Sequence, residues 1–209
     1  MSRVFRTLAV LSLLGTSIAA QERSPWYATF GTGYHAASDT DGPAGSTLGF
    51  DGGYSLSFGV GRDLINTGSK RFGVQGEILF NSFELSDEDV AAQSLSSERA
   101  ENLSLMFSGI ADFQLSPQFG VYAGVGVGYA AKVSVDGLDQ PGPFTLEDDS
   151  AVAFQLKAGF KYGLGGGYDM GMGYRYFRMD AVEVSSLSSQ SFDLEFDQHI
   201  FEVVLHWGF

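Results

Sequence analysis

The chain has no cysteine among its 209 residues. That excludes thiol catalysis and cysteine-based metal sites. Proline is scarce, with five residues, and basic side chains are few, with 12 Lys and Arg against 25 Asp and Glu. A formal net charge of −13 argues against nucleic acid and anionic phosphate surfaces as partners, because both require a basic footprint. Also missing is any apolar run approaching the ~20 residues of a spanning helix. Entry into a membrane would therefore have to be by strands.

What is present begins with Met1 to Ala20. Arg3 and Arg6 precede an apolar stretch from Leu8 to Leu14, and the segment closes on the small residues Ser17-Ile18-Ala19-Ala20. A positive start, a short apolar centre and a small-residue exit are the parts of a secretory signal. The expectation is cleavage after Ala19 or Ala20, leaving residues 21–209 as one domain with 10 basic against 25 acidic side chains.

Glycine is abundant, at 28 residues, and aromatics make up 14 % of the chain. Glycine and aromatics without a low-complexity run suit an all-β barrel better than disorder. Eight segments alternate apolar and polar residues with the period of a strand. They run from Trp26 to Ala36, Phe50 to Arg62, Phe72 to Phe83 and Asn102 to Leu115, then over Phe119–Val133, Val152–Tyr162, Asp169–Tyr176 and a last segment ending His199–Phe209. Short connections near Asp63–Arg71, Ser116–Gln118 and Gly163–Gly167 carry the Gly, Asn, Ser and Pro of tight turns. Longer ones lie at Ala37–Gly49, Leu85–Glu101, Asp136–Ser150 and Asp180–Asp193. Short turns at one end and long loops at the other describe an up-and-down transmembrane barrel of eight antiparallel strands.

A soluble barrel would alternate in the same way, so the polar face decides. Water-facing polar faces are dense in charge, whereas this one is mostly Gly and Ser. Its charges nearly balance: Glu77, Asp112, Asp169 and Glu202 against Lys132, Lys157, Lys161 and Arg175. A narrow interior needs that balance, because a buried ion must find a partner. The expected interior charge network is Glu77, Asp112, Lys132, Lys157, Arg175 and Glu202, with glycines leaving room for Tyr27, Tyr122 and the long basic stems. The apolar face carries Trp26, Tyr54, Tyr129, Tyr162, Tyr174, Tyr176, Trp207 and Phe209, many near strand ends. Aromatics at the ends of an apolar band form the girdles of a membrane interface.

The "AGVGVGYA" of the fifth segment, the "GYRY" of Gly173–Tyr176 and the ending "FEVVLHWGF" carry a resemblance. Across the region after the signal, the chain resembles the OmpA-type and opacity-protein group of eight-stranded bacterial outer-membrane barrels. The resemblance implies an outer-membrane location, with outer-membrane lipid and lipopolysaccharide as surroundings. It also implies periplasmic chaperones and the barrel-assembly machinery as partners. A terminal aromatic on an alternating last strand is similar to the assembly signal of that group, and Leu205, Trp207 and Phe209 match it. Nothing follows Phe209, so the resemblance does not extend to a peptidoglycan-binding domain.

The long connections are strongly acidic. Residues 37–50, 84–101, 136–150 and 180–197 together hold 18 acidic side chains and one basic one, Arg99. The densest clusters are Asp87-Glu88-Asp89 and Glu147-Asp148-Asp149. Such a crown is a solvated, self-repelling surface, and loose recruitment of divalent cations to it would bridge to lipopolysaccharide or to a basic partner. Glycine runs at Gly124–Gly128 and Gly163–Gly167 lack the following helix of a phosphate loop, and Asp39-Thr40-Asp41-Gly42 lacks the later ligands of a calcium loop. No cofactor is expected.

His35 points inward near Ser38 and Asp39, but three polar residues in one loop do not make a nucleophile, base and orienting acid. The chain is not expected to be an enzyme. His206 is expected to bond Glu202 inside, and His199 to meet water near the loop end. The function expected is that of a small outer-membrane barrel with a structural and surface-interaction role and a plugged interior. The alternatives are a narrow porin-like channel and, below it, a lipid-modifying enzyme. Eight strands leave an interior filled by side chains, which favours the first.

Overall fold

The computed structural model describes residues 24–37, 40–41, 47–48, 50–85, 99–135, 144–146, 150–186 and 191–209. Residues 1–20, Ser38, Asp39 and the whole acidic set Asp87, Glu88, Asp89, Glu147, Asp148 and Asp149 lie outside the described residues, and so does the side chain of Lys132.

Eight long strands form the wall: β1 Trp26–Ala37, β2 Phe50–Asn66, β3 Lys70–Leu85, β4 Arg99–Gln114, β5 Phe119–Val135, β6 Ala151–Gly165, β7 Tyr168–Ser186 and β8 Ser191–Gly208. Each pairs antiparallel with its neighbour in sequence, and β1 pairs with β8 from Tyr27↔Gly208 to Ala37↔Gln198, which closes the sheet on itself. Closure leaves no edge along the wall, so every strand finds backbone partners on both sides. At the seam, the Gly208 amide donates to the Gly167 carbonyl at 2.9 Å and the Phe209 amide donates to the Trp26 carbonyl at 3.2 Å.

The turns are as short as the sequence suggests. Between β6 and β7 only Gly166 and Gly167 remain outside the strands, at φ 64° and 85°. A two-residue hairpin requires positive φ at both central positions, which glycine adopts without penalty. At the other end the strands outrun the expected boundaries. β7 and β8 stay paired up to Ser185↔Ser191, and Phe144–Leu146 pairs with Val184–Ser186 of β7. Thr40–Asp41 pairs with Thr47–Leu48. Parts of all four expected loops are thus strand, because backbone pairing continues past the point where the apolar alternation stops.

Outward positions form an apolar band. On β8 these are Phe201, Val203, Leu205, Trp207 and Phe209, and on β7 Tyr168, Met170, Met172 and Tyr174, all exposed. Nine residues of β8 match the ~9–11 that a tilted strand needs to cross a bilayer core. At the turn end Tyr168 stacks on Trp207 (centroids 6.1 Å apart, planes at 8°), and the Arg62 guanidinium lies 5.3 Å from the Trp26 ring. Leu205, Trp207 and Phe209 therefore make one outward row at the closing seam.

Strict alternation fails in one place that matters. Leu103 pairs with Lys132 and Ser104 with Ala130, so β5 carries a bulge at Ala131. A bulge shifts the phase of every residue beyond it. The backbone of Lys132 stands opposite outward Leu103, whereas uninterrupted alternation would put it opposite an inward residue.

Inside, Tyr122 leans from β5 over the neighbouring β6 and β7, where it meets Gly159 and Gly173. A Cβ on Gly159 would sit 2.5 Å from the Met172 carbonyl oxygen and 2.8 Å from the Tyr122 ring. Outward-facing Gly76 has nothing within 4 Å of the same position. Gly159→Val is expected to cost about 1–3 kcal/mol, the range for overpacking, and Gly76→Ala to be neutral within error. Urea unfolding in lipid vesicles, followed by tryptophan fluorescence, checks both; equal effects would refute the assignment of Gly159 as clearance for Tyr122.

Candidate functional site

The inward face of β3 reads Arg71, Gly73, Gln75, Glu77, Leu79 and Asn81, and that of β7 reads Asp169, Gly171, Gly173, Arg175, Phe177 and Met179. Glu77 and Arg175 stand on opposite sides of the lumen, and strand tilt brings them to one height. The Arg175 side chain is buried, at 1 % exposure. Its Nη1 is ion-paired with Glu77 and donates to Gln155 Oε1 at 3.1 Å. Its Nε and Nη2 both donate to Glu202 Oε2, at 3.1 and 2.8 Å. Lys157 Nζ reaches Glu77 Oε2 at 2.8 Å. Gln75 Nε2 donates to the same oxygen at 3.0 Å and to Thr29 Oγ1 at 2.9 Å, while Gln155 Nε2 donates to Ser108 Oγ at 2.8 Å.

The four ions carry two charges of each sign, so the layer is neutral as a whole. Neutrality and a full set of hydrogen bonds are what make buried ions tolerable. Side chains from six strands (β1, β3, β4, β6, β7 and β8) meet in this one bonded layer.

Asp112 does not join it. It belongs to a second cluster nearer the turns, where it is ion-paired with Lys161 and accepts from Arg71 Nη2 at 3.2 Å. Arg71 Nη1 also lies 3.6 Å from Asp63. The expected single network is therefore two tiers. Glu77, Lys157, Arg175 and Glu202 form the upper one, and Asp112 forms the lower with Arg71, Asp63 and Lys161. Arg71 and Asp63 were read as turn residues, yet continuing the inward period of β3 back from Gly73 reaches Arg71. Gln75 and Gln155 were already on the inward face, without a role.

Above the upper tier large apolar side chains enter the lumen among buried polar ones such as His35, Asn81, Ser104 and Gln198. Two residues toward the loop end from Glu77, Arg175 and Glu202 come Leu79, Phe177 and Ile200, none more than 1 % exposed. Met179, Ala151 and Ala153 continue this layer, and Met106 is buried opposite Glu77. A face read as mostly glycine and serine thus contains a packed hydrophobic plate. The signal was visible in Ile200 and Val204, which share parity with Glu202 and His206.

One histidine sits where it was expected and two do not. His35 is inward and fully buried. The Glu202 carboxylate is taken by Arg175, and His206 lies four residues nearer the turn end of β8, opposite Asp169 in register and 6.1–6.2 Å from the rings of Tyr27 and Tyr122. His199 is on the outer wall, stacked against Tyr174, whose hydroxyl is 2.6 Å from Nδ1. Its place is in the aromatic girdle, because position 199 shares parity with Phe201. Beside it the Tyr176 hydroxyl donates to Asp197 Oδ1 at 3.0 Å. Among the described residues no cluster of His, Asp and Glu could hold a metal ion.

The family model of the outer membrane protein beta-barrel domain matches residues 7–209. Neisserial surface protein A has a similar structure, with a TM-score of 0.58 at 17 % identity, covering 90 % of this chain and 100 % of that one. The outer membrane protein OprG from Pseudomonas aeruginosa gives 0.57 at 13 % identity, covering 90 % and 97 %. At these identities the likeness is one of fold. A sequence search among curated proteins finds no match.

Arg175→Ala leaves Glu77 and Glu202 buried with one cation between them, and removal of one partner from a buried pair costs about 3–5 kcal/mol. Unfolding in vesicles should show that loss. A stability within 1 kcal/mol of the parent would mean that the tier contributes little to holding the wall.

Proposed function

The chain belongs to the outer membrane protein beta-barrel family and is located in the bacterial outer membrane, and from that premise we propose that it is a closed barrel with a structural and surface-interaction role. The observation that carries this reading is the stacking of two barriers. The Arg175 guanidinium is bonded on all three nitrogens across the lumen, and the plate of Leu79, Phe177 and Ile200 lies directly over it. An ion moving through would have to break a neutral, hydrogen-bonded layer and then pass the bulky apolar side chains packed over it. Eight-stranded barrels have interiors just wide enough for side chains to fill, which agrees with a sealed lumen.

A barrel sealed in this way acts through its surfaces. The inward ions balance and the outer wall is apolar, so recognition falls to the acidic connections at the loop end. Their chemistry suits divalent cations that bridge to lipopolysaccharide phosphates, or a basic partner directly. Nothing in the buried tiers resembles a nucleophile with its base, and the role proposed is not enzymatic.

Planar-bilayer recording of the refolded protein tests the seal. The parent is expected to be silent, and Arg175→Ala to give brief openings. Steady channels from the parent would replace this reading with that of a narrow pore. For the loops, chelation of calcium and magnesium is expected to weaken retention on lipopolysaccharide-coated vesicles several-fold. Retention that is indifferent to chelator would eliminate cation bridging.

A further inference from the structure

At the turn end the lumen opens into a cavity with about 40 Å³ of room for water centres, walled by Tyr27, Arg71, Asp112, Tyr122, Lys161 and His206. One water needs roughly 10–15 Å³ on that measure, so two or three fit. Asp112 gives the cavity a demand for them. Its side chain is 8 % exposed, and Oδ2 takes both Arg71 and Lys161. Oδ1 is buried without a hydrogen-bond partner. A carboxylate oxygen shut away without a donor costs free energy, and a polar cavity beside it is where water is expected to supply one.

We infer that this cavity is a bound-water site, donating to Asp112 Oδ1 and continuous with the periplasm, so that solvent reaches Tyr122 but no higher. The inference takes the closed barrel as its premise and locates the boundary. Tyr122 leans from β5 over β6 and β7 toward His206 of β8, with its ring against Gly159, the Lys161 ammonium 6.0 Å from its centroid and the His206 ring 6.1 Å away. The Arg175 tier and its apolar plate follow directly. The seal therefore begins at the ionic layer and lies toward the loop end, with Leu79, Phe177 and Ile200 packed over it. The part of the lumen below Tyr122 belongs electrically to the periplasm.

Two methyl groups report on this. Ile110 stands in the cavity wall, and Met106, four residues up the same strand, is buried opposite Glu77 at 3 % exposure. Methyl-labelled protein in nanodiscs of deuterated lipid is examined for water-to-methyl cross-relaxation by NMR. The expected result is a water cross-peak at Ile110 and one at least fivefold weaker at Met106. No cross-peak at either methyl would overturn the water site and leave the closed barrel standing. Equal peaks at both would overturn the boundary at Tyr122, and the same sample's silence or conductance in a bilayer then decides the closed barrel separately.

Discussion

One guanidinium sets the terms for the interior. Arg175 is always charged, and inside a barrel surrounded by hydrocarbon it has no water to turn to. Its three nitrogens therefore fix where Glu77, Glu202 and Gln155 must stand. Glu77 then carries a second oxygen that Lys157 and Gln75 occupy, and Gln155 hands its own amide to Ser108. Each partner is held by another, so the layer behaves as one unit across the lumen rather than as separate pairs. An arrangement of this kind is weak evidence for raw stability. Its consequence is geometric: any slip in strand register would strand a charge. It specifies the barrel more than it strengthens it.

That constraint explains what lies on either side. Above, an apolar plate is tolerable because the ionic layer beneath it has no unmet demand for solvent. Below, the Asp112 cluster keeps an unmet oxygen and a polar cavity, and the chain opens there to the turn end. The tyrosines divide the two zones. Tyr122 occupies space that Gly159 and Gly173 leave open, so the glycines of the inward face complement particular large side chains.

Much of the wall was legible in the sequence, since period-two alternation needs only local parity. The inward placement of Glu77, Lys157, Arg175 and Glu202 followed from parity alone. Grouping was not legible, because pairing across a lumen depends on strand tilt, and tilt turns equal register into unequal height. Asp112 was therefore assigned to the Arg175 network when it sits a tier lower. Lys132 shows a second limit: a single bulge at Ala131 changes phase, and no residue in "GYAAKVSV" announces it. His199 shows a third. It was read by chemical type as a water-seeking residue, although its parity with Phe201 already put it on the outer wall between tyrosines. The plate of Leu79, Phe177 and Ile200 went unremarked because the inward face was expected to be polar.

Charge is distributed over this fold in a way that points outward. The band facing lipid carries aromatics and aliphatics, and the upper tier cancels to zero. Yet the chain as a whole is at −13, with 25 acidic residues. Eighteen of those lie in the four long connections and their strand edges, with a single arginine to offset them. A neutral interior and an acidic exterior are separable demands, and only the first is required by folding in a bilayer. Fold alone does not dictate what such a surface does. It does narrow the chemistry: under the reading proposed above, connections with 18 acidic side chains and one arginine suit cations or basic surfaces as partners.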